Sequence, residues 1–150
     1  HPVAHSFPTR RSSDLGKDVR KVIETYHAQH PIMYIQKKID LQEKDLGIVF
    51  IGGEYLTTYA RCKQNNSWNT STVSGAKYAS FDPPPEVIDL AKRAQSLFDL
   101  YFTCVDVALT RQGPYVFEVS AFGGFRGIRE TRDIDPAKRC VEYVLERIRG

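Results

Sequence analysis

The chain is poor in several residue types, and each shortage excludes something. Its 150 residues include three cysteines, one tryptophan and one methionine. Cys62, Cys104 and Cys140 are odd in number and far apart, which fits neither a disulfide framework nor the close pairs of a zinc finger. Reduced thiols in a cytoplasmic protein are the expectation. No apolar run approaches the length needed to cross a bilayer, so no membrane partner is predicted. Neither sign of charge dominates. With 21 Lys and Arg against 18 Asp and Glu, the net charge of +3 is too mild to predict nucleic-acid binding. Histidine is scarce as well: of four, only His27 and His30 lie beyond the first residues, both near Pro31, where a helix end is expected. That leaves Cys104 without a good partner as a catalytic nucleophile.

Apolar material is sufficient for one core, at 41% of residues. Val19, Val22, Ile23 and Tyr26 recur at helical spacing, predicting a helix over 18–29 that stops before Pro31. Strands are predicted over 32–39, 46–51 and 54–63, with Gly52-Gly53 as a two-residue hairpin turn between the last two. A polar loop follows over 64–74 and holds Trp68, as a solvated loop or as a lid over substrate. Asp82 and the prolines after it open a helix whose apolar stripe is Val87, Leu90, Ala91, Ala94, Leu97 and Phe98. Asp135-Pro136 opens a closing helix, with Ala137, Val141, Val144, Leu145 and Ile148 as its buried stripe. The fold class is α+β: an antiparallel sheet with helices packed on it.

The residues that carry chemistry lie between those two helices. Cys104–Leu109 and Tyr115–Ala121 read as strands joined by a turn. A four-residue loop would pair Thr110 with Tyr115 and turn Asp106 away from Glu118. A five-residue loop, 110–114, pairs Leu109 with Tyr115, Val107 with Phe117 and Val105 with Val119. It leaves Asp106/Glu118 and Cys104/Ser120 on the opposite face. The second register keeps the apolar face continuous and is favoured, because a slip of one residue exchanges whole faces. Facing carboxylates about 5 Å apart repel each other unless a cation or a proton lies between them. Mg²⁺, a hard ion that takes oxygen ligands, suits the pair. The alternative is a solvent-facing hairpin side with two ordinary acids.

Several segments then resemble, in order, one family. Tyr34-Ile35-Gln36-Lys37-Lys38-Ile39 is similar to a hinge strand, and Asp45-Leu46-Gly47 with the strand after it to a D-x-R strand. Tyr59-Ala60-Arg61 is similar to a strand bearing a phosphate-facing arginine. Trp68 to Ala76 matches a loop that often ends Asn-x-x-x-Gly-Gly. Val105-Asp106-Val107 and Phe117-Glu118-Val119-Ser120 match two metal-binding strands, and Phe122-Gly123-Gly124 the glycine turn after them. Residues from about Gly16 to Gly150 thus resemble the C-terminal half of an ATP-grasp ligase of the RimK-like branch.

The resemblance implies ATP and Mg²⁺ (or Mn²⁺) as cofactors. It implies Gln36, Lys37, Lys38, Ile39 and Asp45 as nucleotide-binding residues, Asp106, Glu118 and Ser120 as metal ligands, and Arg61 as the catalytic cation. It implies a reaction in which a small-molecule carboxylate is phosphorylated and an amine, such as that of glutamate, attacks the acylphosphate. Arg126 and Arg129, after the glycine turn, would meet a substrate carboxylate or form a solvated basic face. Four departures stand out. Ser120 replaces an asparagine, Lys37 the hinge glutamate, Gly47 the arginine of D-x-R, and Ser71 and Ala76 alter the Trp68 loop. They imply a divergent second substrate, or, alternatively, a nucleotide-binding module without catalysis.

The start of the chain reads differently. His5 to Leu15 matches the translation of a common sequencing-adaptor oligonucleotide, so residues 1–15 are expected to be non-native and 16–150 a truncated ATP-grasp domain. The alternative is a genuine basic tail or targeting peptide. On the first reading the lysine and glycine loop expected to cover the phosphates lie before Gly16, and the fragment alone is expected to be inactive.

Overall fold

The computed structural model describes residues 18–30, 32–33, 39–64, 70, 72, 75–121 and 123–149. The chain divides into two units, residues 1–38 and 39–150. In the first, helix α1 (Val19–Gln29) runs where its periodicity predicted. Asp18 caps it by accepting the Lys21 N–H at 3.1 Å, satisfying one of the donors that every helix start leaves free. His30 ends it, its ring 4.3 Å from that of Tyr26. The strand predicted over 32–39 falls mainly outside the described residues; Ile32, Met33 and Ile39 have irregular backbone.

The second unit is a five-stranded antiparallel sheet in the order β3-β2-β1-β4-β5. Its strands are β1 (Lys44–Ile51), β2 (Glu54–Cys62), β3 (Lys77–Ser80), β4 (Phe102–Thr110) and β5 (Gly113–Ser120). Gly52 and Gly53 join β1 to β2 with φ of +58° and +82°, the left-handed values that a two-residue hairpin turn demands and glycine tolerates. Strand β3, a four-residue edge, was not predicted.

Strand alternation separates two faces. One face carries Leu46, Ile48 and Phe50 of β1, Ala60 of β2, and Val105 and Val107 of β4, all buried. Helix α2 (Pro85–Gln95) covers it with Val87 and Ala91. Its cap is Pro84 rather than Asp82, whose carboxylate instead takes an ion pair from Arg132 at 2.6 Å. The predicted stripe stops short, because the helix ends at Gln95 and leaves Leu97 and Phe98 exposed. The other face carries Val49, Tyr59, Phe102 and Cys104. Ile128 of the unpredicted short helix α3 (Arg126–Thr131) covers it.

The closing helix α4 (Pro136–Arg149) begins where expected, and Asp135 accepts the Ala137 N–H at 3.0 Å. Its predicted buried stripe is not buried: Ala137, Val141, Val144, Leu145 and Ile148 are all exposed. The helix is amphipathic: Pro136 is buried, Cys140 packs on the second core and Tyr143 lies beside the Tyr101 ring, but the predicted apolar stripe faces outward.

The hairpin is a further correction. Cys104/Ser120, Val105/Val119 and Asp106/Glu118 pair as expected. Beyond Asp106 a bulge shifts the register, so that Val107 faces Val116 and Leu109 faces Pro114. The loop is the two-residue turn Arg111-Gln112, closed by Thr110, which donates to the Gly113 carbonyl at 2.9 Å. Phe117 is the extra residue of the bulge. It is exposed, as is Tyr115, and Val116 rather than Phe117 packs on the core.

Candidate functional site

On the second face, cross-strand pairing lines side chains up in rows. Gly47 in β1 lies between Tyr59 of β2 and Asp106 of β4, and Glu118 of β5 is next beyond Asp106. One step along, Asp45 pairs with Arg61. These four strands bring Asp45, Arg61, Asp106 and Glu118 into one neighbourhood.

Arg61 is its hub. Its Nε donates to Asp45 Oδ2 at 2.9 Å, its Nη2 pairs with the same oxygen, and Nη2 also meets Asp106 Oδ2 at 2.7 Å. Burial works against the guanidinium charge, but Asp106 and Asp45 outweigh it and hold the group protonated well beyond its usual range. Asp45 is 1% exposed and shut beneath Arg61, and its Oδ1 is buried with no hydrogen-bond partner. Asp45, expected to bind nucleotide, holds Arg61 in this structure.

Asp106 has a mixed environment. Burial pushes its carboxyl up, Arg61 pulls it back down, and Asp45 and Glu118 add to the rise, which leaves it at about 6. Its Oδ1 faces Cys104 Sγ at 3.7 Å. The Cys104 thiol is pushed up to about 12, chiefly by burial and then by the Asp106 charge. A thiol so held favours its protonated form, which gives no support to Cys104 as a nucleophile. Glu118 is exposed and accepts a 2.7 Å hydrogen bond from Ser120 Oγ. Ser120, expected as a metal ligand, orients Glu118 in this geometry.

The glycine at position 47 has a structural reason. A Cβ there would come within 2.4 Å of the ring of Tyr59, and a Cβ at Gly127 of α3 within 2.7 Å of the same ring from the other element. Tyr59, 4% exposed, is clasped between two glycines, its hydroxyl 3.5 Å from Cys104 Sγ. The tyrosine therefore fills space that a side chain at position 47 would need. Neither Tyr59 nor Gly127 was singled out from sequence for this role. The only hint was the paired occurrence of glycine where the D-x-R pattern has arginine and a second glycine after the turn.

The donors suit a hard cation. Two carboxylates from neighbouring strands, one half-open to solvent, supply oxygen alone, and Mg²⁺ is commonly held by one or two carboxylates with phosphate oxygens completing its shell. Among the described residues no group of three or more His, Cys, Asp or Glu side chains is gathered for a metal, so a cation here would complete its shell with water or with nucleotide oxygens. Arg126 and Arg129 lie in a recess with Phe125 and Glu130. Arg126 is paired with Glu130 at 2.6 Å and lies over the Tyr78 ring. Gln36, Lys37, Lys38, Ser71 and Trp68 lie outside the described residues; Ile39 is half-buried just before β1.

A model of the RimK-like ATP-grasp domain matches residues 14–144. The chain belongs to this family. Among curated relatives of the RimK-like chain, a "probable alpha-L-glutamate ligase" of Maridesulfovibrio salexigens is 25% identical over 124 residues, covering 82% of this chain and 41% of the relative. A "ribosomal protein bS6–L-glutamate ligase" of Salmonella paratyphi B is 24% identical with the same coverage. The chain thus spans about two fifths of the length of these relatives, 41%. Among solved structures, the ATP-grasp ligase PsnB with a precursor variant, Mg and ADP superposes with a TM-score of 0.56 at 15% identity, over 84% of this chain and 50% of that one. A RiPP-associated ATP-grasp ligase of Chryseobacterium gregarium, with ADP and leader and core peptides, reaches 0.53 at 18% identity, over 63% of this chain and 30% of that one. These likenesses carry the ATP-grasp fold. Among the described residues no helix is long and apolar enough to cross a membrane.

Proposed function

We propose that this chain is the metal- and phosphate-facing part of an ATP- and Mg²⁺-dependent ligase that joins a carboxylate to an amine through an acylphosphate. The observation that carries the reading is the pairing of Asp106 with Glu118 across neighbouring strands, with the Arg61 cation within 2.7 Å of Asp106. Joining two anions, a carboxylate and a terminal phosphate, requires positive charge placed in advance. When bound, Mg²⁺ would supply neutralisation and orientation of the phosphates.

Asp106 and Glu118 would hold that ion, and Ser120 would keep Glu118 turned toward it through the 2.7 Å hydrogen bond. Arg61 would meet the transferring phosphoryl group, with Asp45 fixing its position from below. Cys104 would present a neutral thiol to Asp106 and take no covalent part. Arg126 and Arg129, at the surface recess, would meet a carboxylate of the acceptor.

The amine is an amino acid, with glutamate favoured by the names of the curated relatives. The carboxylate belongs to a small molecule or to a protein or peptide, since one relative is named for a ribosomal protein and neighbouring structures hold precursor peptides. A cytoplasmic setting fits the unpaired thiols. The test is Mg²⁺-dependent release of ADP that requires both a carboxylate and an amino acid, with a product heavier by one amino-acid residue. ATP binding with neither ADP release nor product would instead support a nucleotide-binding module, the reading that Gly47 and Ser120 favour by their departure from the family pattern.

A further inference from the structure

Resting on that reading of Asp106 and Glu118, we propose that Arg61 is the resting counter-ion of Asp106 and competes with the divalent cation for it, and that Asp45 is the position to which Arg61 withdraws. Both oxygens of Asp106 have partners: Oδ2 takes Arg61 Nη2 at 2.7 Å and Oδ1 faces the Cys104 thiol at 3.7 Å. A cation arriving at Asp106 must therefore displace a charged donor. Glu118 differs, since its one bond is to the neutral Ser120 hydroxyl and it is open to solvent.

The geometry of the guanidinium shows where it can go. Arg61 places both Nε and Nη2 on one oxygen of Asp45, Oδ2, instead of spanning the two oxygens as a parallel fork. The other oxygen, Oδ1, is buried and has no hydrogen-bond partner. An unmet buried acceptor of this kind is costly, and a small shift of Arg61 away from Asp106 would satisfy it. The arginine thus has two positions. In one it is shared between Asp45 and Asp106. In the other it forms a full fork on Asp45, and Asp106 is free for the cation. Gly47, in the row between Tyr59 and Asp106, adds no side chain of its own beside the guanidinium. Asp45 is a positioning residue in this scheme, acting only through Arg61.

The prediction runs against intuition, because trimming the site's own cation holder should tighten metal binding. Mn²⁺ alone, titrated into the 150-residue chain and followed by the loss of the free-ion electron paramagnetic signal, reports occupancy with no turnover needed. Arg61→Lys keeps the charge but cannot span both carboxylates, and should tighten Mn²⁺ binding about tenfold. Asp45→Asn removes the withdrawn position and should weaken it by a similar factor. The double variant Asp45→Asn/Arg61→Gln removes the two charges together, and should also bind Mn²⁺ more tightly, which keeps the test open if Arg61→Lys loses its far-UV circular dichroism. Wild-type affinity in folded Arg61→Lys, with binding lost in Glu118→Gln, overturns the competition and leaves the metal site standing. Unchanged binding in Glu118→Gln overturns the metal reading itself, and the competition with it.

Discussion

The two faces of this sheet are built from the same strands and follow opposite rules. Under α2, β1 presents Leu46, Ile48 and Phe50, each 0% exposed, and nothing there needs a partner of a particular charge. On the other face the alternate residues of the same strand are Asp45, Gly47 and Val49, and the neighbouring strands add Tyr59, Arg61 and Asp106. The first face gains from area removed from water. The second spends part of that gain to bury two carboxylates and a guanidinium, which a fold selected for stability alone would replace with apolar side chains of similar volume. The difference teaches where function lies. The buried Asp45 Oδ1, which has no hydrogen-bond partner, is the acceptor that the proposed shift of Arg61 would satisfy.

Breaking the polar face should cost activity before stability. On the proposed reading, Asp106→Asn in a full-length ATP-grasp protein carrying this domain should lower turnover by about 10³-fold or more while leaving the far-UV circular dichroism in place, since a residue proposed to hold the cation at the phosphates is lost. Full activity in this variant would contradict the assignment of Asp106. The corresponding change under α2, Val107→Ala, should cost stability instead.

The two faces also differ in how much of them the sequence reveals. The apolar face follows from alternation alone: β1, β2 and β4 and the Gly52-Gly53 turn lie within a residue or two of where the pattern puts them. The facing of Asp106 and Glu118 was also legible. The hairpin loop beyond it was not, because alternation is intact on both sides of a bulge and only slips across it, leaving Phe117 outside where the pattern puts it inside. Helix α3 has six residues and two buried ones, too few to show a period. The Asp45–Arg61–Asp106 bridge joins three strands, and each residue could be named for a separate task without any sign that they meet. It depends on register, which local sequence does not encode. In the same way, the arginine missing at position 47 reads as a loss until the ring of Tyr59 is seen in its place.

That ring offers a smaller break. Gly127→Ala places a methyl group within 2.7 Å of Tyr59, between a helix and a sheet that cannot both yield, and should destabilise the chain by about 1–3 kcal/mol in urea unfolding. Combined with Tyr59→Leu, the same alanine should cost less than the sum of the two changes, since the ring it strikes is gone. Additive costs would show that Gly127 is there for another reason.

The pH dependence sharpens the contrast with a sign opposite to that of an ordinary surface carboxylate. In the folded chain Asp106 is raised to about 6, whereas unfolded it titrates near 3.9 as a free aspartate would. Between those values the folded state keeps a proton that the unfolded state has released, so the contribution of Asp106 is most favourable at low pH, falls as pH rises through about 4 to 6, and is constant above. By linkage the loss is at most about 2–3 kcal/mol. Other carboxylates tilt the curve the other way, so the measurement is a difference: wild-type stability minus that of Asp106→Asn should decline across this window. A flat difference would mean that Arg61 offsets burial in full.

The smallest effect belongs to α4, which carries an apolar stripe as regular as that of α2 and yet does not bury it. Val141, Val144, Leu145 and Ile148 are 58%, 51%, 43% and 75% exposed, whereas Val87 of α2 is 4% exposed and Val107 of β4 is 0% exposed. Periodicity records that a helix has two sides; burial depends on what lies against them. If the stripe contributes nothing to this unit's core, Val144→Ser should change the unfolding free energy by no more than about 0.5 kcal/mol, the range of an ordinary surface change. Val107→Ala, which removes two methyl groups from a closed layer, should cost about 2 kcal/mol or more. The ratio of the two is the informative quantity, because both remove apolar volume from a valine and the two sites differ chiefly in whether water was already present. Equal costs would mean that α4 packs against this chain in solution, and the exposed stripe would then join the core face in the comparison.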